Sequence, residues 1–258
     1  MTQIHKKADI HPDAQIHESV VIGAYSQIGS QVTIGADTVV GDFVRIAGRT
    51  TIGARNQIHS YAALGGIPQD KKYQGENAAL VIGDDNTIRE FCTFNIGTND
   101  DRGYTSLGNH NWIMAYVHLA HDCQVGNYVT MANHATLAGH VTIGDWVTLG
   151  GFVGVHQFVQ IGAHAFVGIS AVITQDIPPY VMVAGQPATP HGINAEGLKR
   201  RGFSADDLVQ IKKAYRILYR QGYALEEAKS LLEKLAQEQP CLLPFSQFLE
   251  GSQRGVLR

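Results

Sequence analysis

An aliphatic residue returns at every sixth position over long stretches of this 258-residue chain. The first run comprises Ile4, Ile10, Ile16, Ile22, Ile28, Ile34, Val40, Ile46, Ile52, Ile58 and Leu64, and the second comprises Leu107, Ile113, Leu119, Val125, Met131, Leu137, Ile143, Leu149, Val155, Ile161, Val167 and Ile173. A six-residue period fits neither the helical nor the strand period, but it is typical of a parallel β-helix. If three short strands complete one coil, residues 18 apart stack on adjacent coils about 4.8 Å apart.

The phase of the repeat locates two interruptions. Ile82 and Phe94 remain in phase with Leu64, which leaves a loop at about 65–81. Leu107 follows Phe94 by 13 positions, which is not a multiple of six, so a second loop is expected at about 95–106 and includes Asp100. Loops that leave a rigid scaffold often carry binding groups.

The period changes after Pro178. Ser204 and Asp207 resemble a capping box, and apolar residues then recur at helical spacing as far as Tyr219. A second helix is expected over 225–237 and a short last one over 242–249. We therefore predict an all-β solenoid plus α, with a β-helix over 1–185 and a helical domain over 186–258.

Charge differs between the two predicted parts. Residues 1–185 hold 9 Lys/Arg and 15 Asp/Glu, a net charge of −6, whereas residues 186–258 hold 11 and 8, a net charge of +3. The basic excess is either a solvated helix face or a dock for an acidic partner or a phosphate group. The negative net charge of the whole chain and the absence of a nucleic-acid-binding motif argue against a protein that binds DNA or RNA.

Composition indicates an intracellular protein. The three cysteines have neither metal-type spacing nor the pattern of a disulfide framework. The sequence contains no 18-residue apolar span, and its start lacks the apolar segment of a signal peptide. We expect a cytoplasmic protein without membrane insertion.

Four histidines are candidates for a site. With an 18-residue coil, His140 and His156 each lie one residue from the angular position of His121 on successive coils, and His118 shares the coil of His121. A lone histidine is usually a solvated turn residue, but a group of histidines along one edge of the coil suggests a catalytic or metal-binding site.

Three kinds of chemistry fit this group of histidines. They are a zinc site, nucleophilic catalysis by Cys123, and general-base catalysis by His121 with direct transfer. Asp122 would orient the ring of His121 or stabilise its protonated form, although adjacent strand residues normally point to opposite faces.

Several segments resemble one known family. They are Leu-Ala-His-Asp-Cys at 119–123, Thr-Leu-Ala-Gly-His at 136–140, Val-His-Gln-Phe at 155–158, Pro-Gln-Asp-Lys-Lys-Tyr at 68–73 and Asn-Ala-Glu-Gly-Leu-Lys-Arg-Arg-Gly-Phe at 194–203. Together with the hexapeptide repeats, the chain resembles the UDP-N-acetylglucosamine acyltransferases of lipid A biosynthesis over essentially its full length.

The resemblance implies a left-handed β-helix, a homotrimer and clefts between neighbouring subunits. It implies transfer of a 3-hydroxyacyl group from acyl carrier protein to the glucosamine 3-hydroxyl of UDP-N-acetylglucosamine, with no metal, cofactor or acyl-enzyme. His121 is then the general base, assisted by Asp122. The implied substrate-binding residues are Gln69, Asp70, Lys72, His118, His140, His156, Gln157, Asn194, Glu196, Arg200 and Arg201, the last four for the nucleotide and the pantetheine end of the donor.

Two positions differ from, or vary within, this family. Thr-Phe-Asn-Ile-Gly-Thr at 93–98 replaces a common Thr-Ile-His-Arg-Gly-Thr, so a 3-amino analogue of the acceptor is possible. Ile169 stands where some relatives have glycine. A buried isoleucine would close the end of the acyl groove, which predicts a chain shorter than fourteen carbons. The competing hypothesis is that Ile169 packs between coils.

Other functions share the hexapeptide pattern. A related N-acyltransferase normally has an extra N-terminal sugar-binding domain, and the repeats here begin at Ile4. A γ-type carbonic anhydrase would bind metal. A non-catalytic binding solenoid would tolerate His121→Ala.

Overall fold

A computed structural model describes residues 3–99 and 101–258. Within these ranges the chain winds through three sheets of short strands, called here sheets A, B and C, and passes from A to B to C in each coil. The architecture is the predicted left-handed parallel β-helix with helices at its C-terminal end. Asp100 of the second expected loop lies outside the described residues.

The strands are parallel except for the last pair in sheet A. Sheet A contains β1 (Gln3–Ile4), β4 (Val21–Ile22), β7 (Val39–Val40), β10 (Gln57–Ile58), β13 (Thr87–Ile88), β16 (Trp112–Ile113), β19 (Thr130–Met131), β22 (Thr148–Leu149), β25 (Phe166–Val167), β27 (Val181–Ala184) and antiparallel β28 (Thr189–Ile193). Sheet B contains β2 (Asp9–Ile10), β5 (Gln27–Ile28), β8 (Arg45–Ile46), β11 (Ala63–Gly66), β14 (Thr93–Asn95), β17 (His118–Leu119), β20 (Thr136–Leu137), β23 (Gly154–Val155) and β26 (Val172–Ile173). Sheet C contains β3 (Gln15–Ile16), β6 (Val32–Ile34), β9 (Arg49–Ile52), β12 (Ala79–Ile82), β15 (Tyr104–Leu107), β18 (Gln124–Val125), β21 (Thr142–Ile143) and β24 (Gln160–Ile161).

The six-residue aliphatic repeat forms the core. Leu119 pairs with Leu137, 18 residues later, and both side chains are fully buried. Two coils are longer, because Ile58 pairs with Ile88 and Ile88 pairs with Ile113. The additional residues leave the coil between β11 and β12 and between β14 and β15, so that two loops, 67–78 and 96–103, extend from neighbouring coils.

Tight turns form the three edges of the prism, named here AB, BC and CA after the sheets that they join. One residue of most turns has a positive φ angle, and the side chains of these residues stack from coil to coil. Consecutive positions are Tyr116, His134 and Phe152 on the AB edge, Asp122, His140 and Phe158 on the BC edge, and Tyr128, Trp146 and His164 on the CA edge. Each edge therefore presents a row of side chains that are spaced by the distance between successive coils.

The C-terminal part is helical. It comprises α1 (Ala195–Arg200), α2 (Ala205–Tyr219), α3 (Leu225–Glu238), a 3-10 turn (Pro240–Leu242) and α4 (Leu243–Gly251). The predicted capping box is present, since the Ser204 hydroxyl accepts from the Asp207 N–H and the Asp207 carboxylate accepts from the Ser204 N–H. Among the helices of the described ranges, none has both the length and the apolar character needed to cross a bilayer.

Candidate active site

Asp122 is a buried carboxylate in a turn of the BC edge. Only 1% of its surface is exposed, and its φ angle is 61°. The carboxylate accepts hydrogen bonds from the Thr98 N–H (2.9 Å) and the Thr98 hydroxyl (2.7 Å), and it lies 2.8 Å from Nδ1 of His121. The alternation that made this contact doubtful applies to strands. His121 and Asp122 lie between β17 and β18, where the left-handed backbone turns the carboxylate toward the neighbouring ring.

Hydrogen bonding keeps Asp122 ionised. Burial raises the pKa of its carboxyl group, but the bonds from His121 and Thr98 and the charge of His140 more than offset this effect, so the pKa lies below its usual value. An ionised carboxylate can only accept hydrogen bonds. Nδ1 of His121 must therefore carry a proton, so that in the neutral imidazole the lone pair lies on Nε2.

A glycine makes room for the His121 ring. Gly139 lies one coil above, and a Cβ atom at this position would be 2.7 Å from both Cε1 and Nε2 of His121. Such a contact is too short, so only glycine permits this placement of the imidazole. Gly139 was not among the residues predicted from the sequence, although its position 18 residues after His121 was a usable signal.

His140 is the second imidazole at this place. Its ring is perpendicular to that of His121, with centroids 5.0 Å apart, and it stacks on Phe158 at 4.4 Å. Its Nδ1 lies 3.1 Å from a carboxylate oxygen of Asp101 in loop 96–103. One ligand atom from each of His121, Asp122 and His140 lies within 4.8 Å of the others, so this group is able to hold a metal ion. The expected absence of a metal stays a prediction.

A cleft of about 550 Å³ opens in front of the two imidazoles. Five residues that the sequence analysis selected line it together: Asp70, Lys72, His121, His140 and Gln157. Six lining residues were missed: Asp101, Arg102, Thr142, Phe158, Gln160 and Gln253. Loop 67–78 supplies Asp70 and Lys72, and loop 96–103 supplies Asp101 and Arg102, so both loops border the cleft.

Three other selected residues lie outside the lining of this cleft. His118 is on β17 of sheet B, with Nδ1 2.8 Å from the Thr93 hydroxyl, and burial lowers the pKa of its imidazole. His156 is exposed, with Nδ1 2.9 Å from a guanidinium nitrogen of Arg254. Gln69 lines a separate cavity on the other side of loop 67–78.

Cys123 is unsuited to nucleophilic catalysis. It is fully buried, and its thiol donates to the carbonyl oxygen of Ala138 at 3.1 Å. Burial raises the pKa of this thiol to about 12. Because the thiolate is the reactive form, the cysteine stays unreactive at neutral pH and behaves as a core residue.

The residues selected for the nucleotide lie on the CA edge. Asn194 caps α1 and donates from Nδ2 to the carbonyl oxygen of His164 at 2.9 Å. Arg201 places its guanidinium 5.1 Å from the ring centroid of Trp146, with Nη1 3.3 Å from Nδ1 of His164. Burial, and then the charge of Arg201, lowers the pKa of His164 to about 4, so its ring is neutral and accepts from Arg201.

Glu196 and Arg200 are the remaining selected residues near this edge. Both are exposed on α1, and Glu196 forms an ion pair with Lys199 at 2.8 Å. Sheet C separates the CA edge from the BC edge within one chain. The structure therefore divides the selected residues into two groups and does not bring them together in a single chain.

Ile169 is not buried, which corrects the sequence analysis. Its exposed fraction is 72%, and it lies in the AB-edge turn between β25 and β26. The alternative that Ile169 packs between coils is wrong for the same reason. An exposed isoleucine at a turn is available to contact another molecule.

The fold and this site together define a class, the hexapeptide-repeat transferases. The family model for bacterial transferase hexapeptides, six repeats, matches residues 104–139, which include the turn of His121 and Asp122. A second model, UDP-N-acetylglucosamine O-acyltransferase domain 2, matches residues 176–257, the helical end of the chain.

Comparisons with individual proteins narrow the class. The chain is 55% identical over 204 residues, or 79% of each chain, to the acyl-[acyl-carrier-protein]–UDP-N-acetylglucosamine O-acyltransferase of Thiobacillus denitrificans. The solved UDP-N-acetylglucosamine acyltransferase of Francisella novicida superposes with a TM-score of 0.98 at 44% identity, covering 99% of this chain and 94% of that one. The Moraxella catarrhalis enzyme superposes with a TM-score of 0.97 at 43% identity, covering 99% and 100%. The chain belongs to the family of UDP-N-acetylglucosamine O-acyltransferases, as its motifs predicted, and is an acyltransferase.

We expect His164 to make the stability of the protein depend on pH. Its folded pKa of about 4 lies below the ordinary 6.5, so the unfolded chain binds more protons between these two values. Stability should be complete above pH 6.5 and should fall as the pH decreases toward 4. Thermal unfolding from pH 7 to pH 4 should show a smaller loss for His164→Gln than for the wild-type protein. The same loss in both proteins would contradict this assignment, and His17→Gln, at an exposed position, is the matched control.

Proposed function

We propose that this chain transfers a 3-hydroxyacyl group from acyl carrier protein to the glucosamine 3-hydroxyl of UDP-N-acetylglucosamine, the first step of lipid A biosynthesis. The observation that carries the proposal is the imidazole of His121, held by the buried carboxylate of Asp122 at the wall of a polar cleft. The names of the relatives supply the acyl carrier protein and the sugar nucleotide. The proposal also keeps the expected cytoplasmic location.

The proposed mechanism is direct transfer with general-base catalysis. Nε2 of His121 takes the proton of the sugar hydroxyl while that oxygen attacks the thioester carbonyl carbon. The tetrahedral intermediate collapses, the C–S bond breaks, and the proton passes from the imidazolium to the departing pantetheine sulfur. Asp122 holds the proton of the neutral ring on Nδ1 before the reaction and stabilises the imidazolium during it. No acyl-enzyme forms, which agrees with the burial of Cys123, and the reaction requires no metal or cofactor.

The cleft provides groups for the acceptor sugar. Asp70 and Lys72 border it on loop 67–78, and Gln157 borders it one coil above Gly139. Carboxylate, ammonium and amide groups together match a sugar hydroxyl, which both donates and accepts hydrogen bonds. His118, His156 and Gln69 are assigned to neighbouring parts of the acyl and sugar path. A 3-amino analogue remains the variant acceptor, because Asn95 and Ile96 replace the common His-Arg pair.

A second copy of the chain would complete the site. Asn194, Glu196, Arg200 and Arg201 are assigned to the nucleotide and the pantetheine arm, and arginine binds phosphate through two parallel hydrogen bonds. They are grouped around the CA edge, whereas His121 lies on the BC edge. A homotrimer that places the CA edge of one subunit against the BC edge of the next would unite both groups. The net charge of +3 on residues 186–258 would attract an acidic acyl carrier protein.

The outer face of sheet B offers a path for the acyl chain. The outward positions above His118 are Thr136, Gly154 and Val172, in register on successive strands. Gly154 leaves open space, since a Cβ atom there would meet nothing within 4 Å, and Val172 is 48% exposed. Three strand spacings amount to about 14 Å. Ile169 projects at the far end of this path, where it would limit the acyl chain to fewer than fourteen carbons.

The first test is acyl transfer by the wild-type protein and His121→Ala from a panel of 3-hydroxyacyl carrier proteins. UDP-N-acetylglucosamine and its 3-amino analogue serve as the two acceptors. We expect product from the wild-type protein and a loss of at least about 10²–10⁴ in kcat for the variant. Full activity of His121→Ala would contradict the mechanism. Metal analysis of the active protein distinguishes a γ-type carbonic anhydrase, and absence of product with every pair would favour that enzyme, another hexapeptide acyltransferase or a binding solenoid.

Replacement of Ile169 by glycine should lengthen the preferred donor. The side chain is removed from an exposed turn, so the fold should persist, and kcat/KM should shift toward longer acyl chains. Competition between donors of ten to sixteen carbons measures this preference. The matched control is Ile67→Gly, which removes another exposed isoleucine from a loop. Unchanged selectivity in Ile169→Gly would reject its role.

Mixing two inactive variants tests whether neighbouring subunits share the site. His121→Ala and Arg201→Ala disable different edges, so randomly mixed trimers should regain about a quarter of the wild-type sites. Turnover is measured after the subunits exchange in mild denaturant. The matched control mixes His121→Ala with Asp122→Asn, which lie on the same edge and should regain no activity. Absence of recovery in the first mixture would contradict a shared site.

A further inference from the structure

A second cavity lies on the BC edge, on the opposite side of loop 67–78 from the catalytic cleft. Its volume is about 790 Å³, larger than the cleft. Arg45 and Arg49 line it from the coil below, while Gln69 and Tyr73 line it from the loop. The loop that forms its upper wall is the same segment that carries Asp70 and Lys72 into the cleft. Gln69, Asn95 and Ile96 belong to segments that resemble the family, but they line this cavity and not the catalytic cleft.

Asn95 lines this cavity with an unsatisfied acceptor. Its exposed fraction is 6%, and its Nδ2 donates to the carbonyl oxygen of Ile67 at 2.9 Å. Since a carbonyl oxygen only accepts, the amide atom that faces Ile67 must be the nitrogen. The buried atom without a hydrogen-bond partner is therefore Oδ1. A buried acceptor of this kind requires a donor, which a bound hydroxyl or amide would supply.

The cavity also has unpaired positive charge. Within residues 3–99 and 101–258, the guanidinium groups of Arg45 and Arg49 have no hydrogen bond or ion pair. Glu76 is the acidic residue of the lining, and its carboxylate accepts from the Gln74 N–H. Two arginines and one glutamate leave a net charge of +1. Guanidinium groups bind phosphate oxygens through paired, charge-assisted hydrogen bonds.

We propose that this cavity binds a sugar phosphate. Its phosphate contacts Arg45 and Arg49, and a sugar hydroxyl or acetamido N–H donates to Oδ1 of Asn95. Side-chain amides such as Gln31, Gln69 and Asn77 complete the polar lining, and amides match hydroxyls because both groups donate and accept. The site is separate from the catalytic cleft and does not depend on the proposed acyl transfer.

Occupation of the cavity would fix loop 67–78. The ligand would contact Gln69 from below, while Asp70 and Lys72 border the cleft above. A ligand that orders this segment pays part of the entropy needed to place Asp70 and Lys72. Binding should therefore be visible as slower amide hydrogen exchange in residues 67–78, independently of any enzymatic activity.

The test is isothermal titration of the full-length protein with N-acetylglucosamine 1-phosphate. N-acetylglucosamine and inorganic phosphate are titrated separately, since each carries only one of the two recognised groups. The variant is Arg45→Gln with Arg49→Gln, and its matched control is Arg216→Gln, which removes an exposed arginine from α2. Asp70→Asn serves to detect binding in the catalytic cleft.

We expect saturable binding of the sugar phosphate that weakens at least about tenfold in the double arginine variant. Arg216→Gln should bind it as the wild-type protein does, Asp70→Asn should retain the binding that the double arginine variant weakens, and hydrogen exchange in 67–78 should slow on binding. Loss of affinity in Asp70→Asn alone would place the ligand in the cleft and overturn the proposal. Equal affinity for inorganic phosphate would show an adventitious ion only, and absence of binding would show that water or a neighbouring subunit satisfies Asn95, so either result would also overturn it.

Discussion

The stacking of one coil on the next, residue against residue, is the constraint on which this structure depends. Backbone hydrogen bonds join each strand to its counterpart on the next coil, which in the regular coils lies 18 residues later, as in Leu119 and Leu137. Side chains at the same angular position are therefore aligned along an edge. This repeat places Gly139 above His121 and His140 above Asp122. The β-helix thus assembles a catalytic group from positions that are distant in sequence but equivalent in phase.

Within this alignment, the buried carboxylate of Asp122 prepares His121 to act as a base. A carboxylate with 1% exposure is unfavourable unless it is fully hydrogen-bonded. Thr98 supplies two of its donors from loop 96–103, and the Thr105 hydroxyl accepts from its backbone N–H at 2.8 Å. The longer coil is therefore part of the site, since its loop donates the hydrogen bonds that hold the carboxylate that orients His121.

The sequence predicted those features that follow from periodicity. The aliphatic period gave the β-helix, and the 18-residue coil brought His121 and His140 to one edge, as the structure shows. The aliphatic period did not predict the positive φ angle of Asp122, because a hydrophobic pattern carries no information about the backbone geometry of turns. The comparison with relatives that have glycine at position 169 led to a wrong expectation that Ile169 is buried, since a residue between two core strands can lie in an exposed turn. Contacts made by the loops, such as Thr98 with Asp122, depend on loop conformation that no repeat encodes.

The turnover of Asp122→Asn tests the central claim that Asp122 holds His121 as a base. Asparagine tolerates a positive φ angle, so the turn should persist. Its Oδ1 would still accept from the Thr98 N–H, while its NH₂ group would donate to Nδ1 of His121 and force the proton onto Nε2. We predict a loss of about 10³–10⁴ in kcat, with little change in the KM for the sugar nucleotide. A variant that retains a tenth or more of the wild-type turnover would contradict the account.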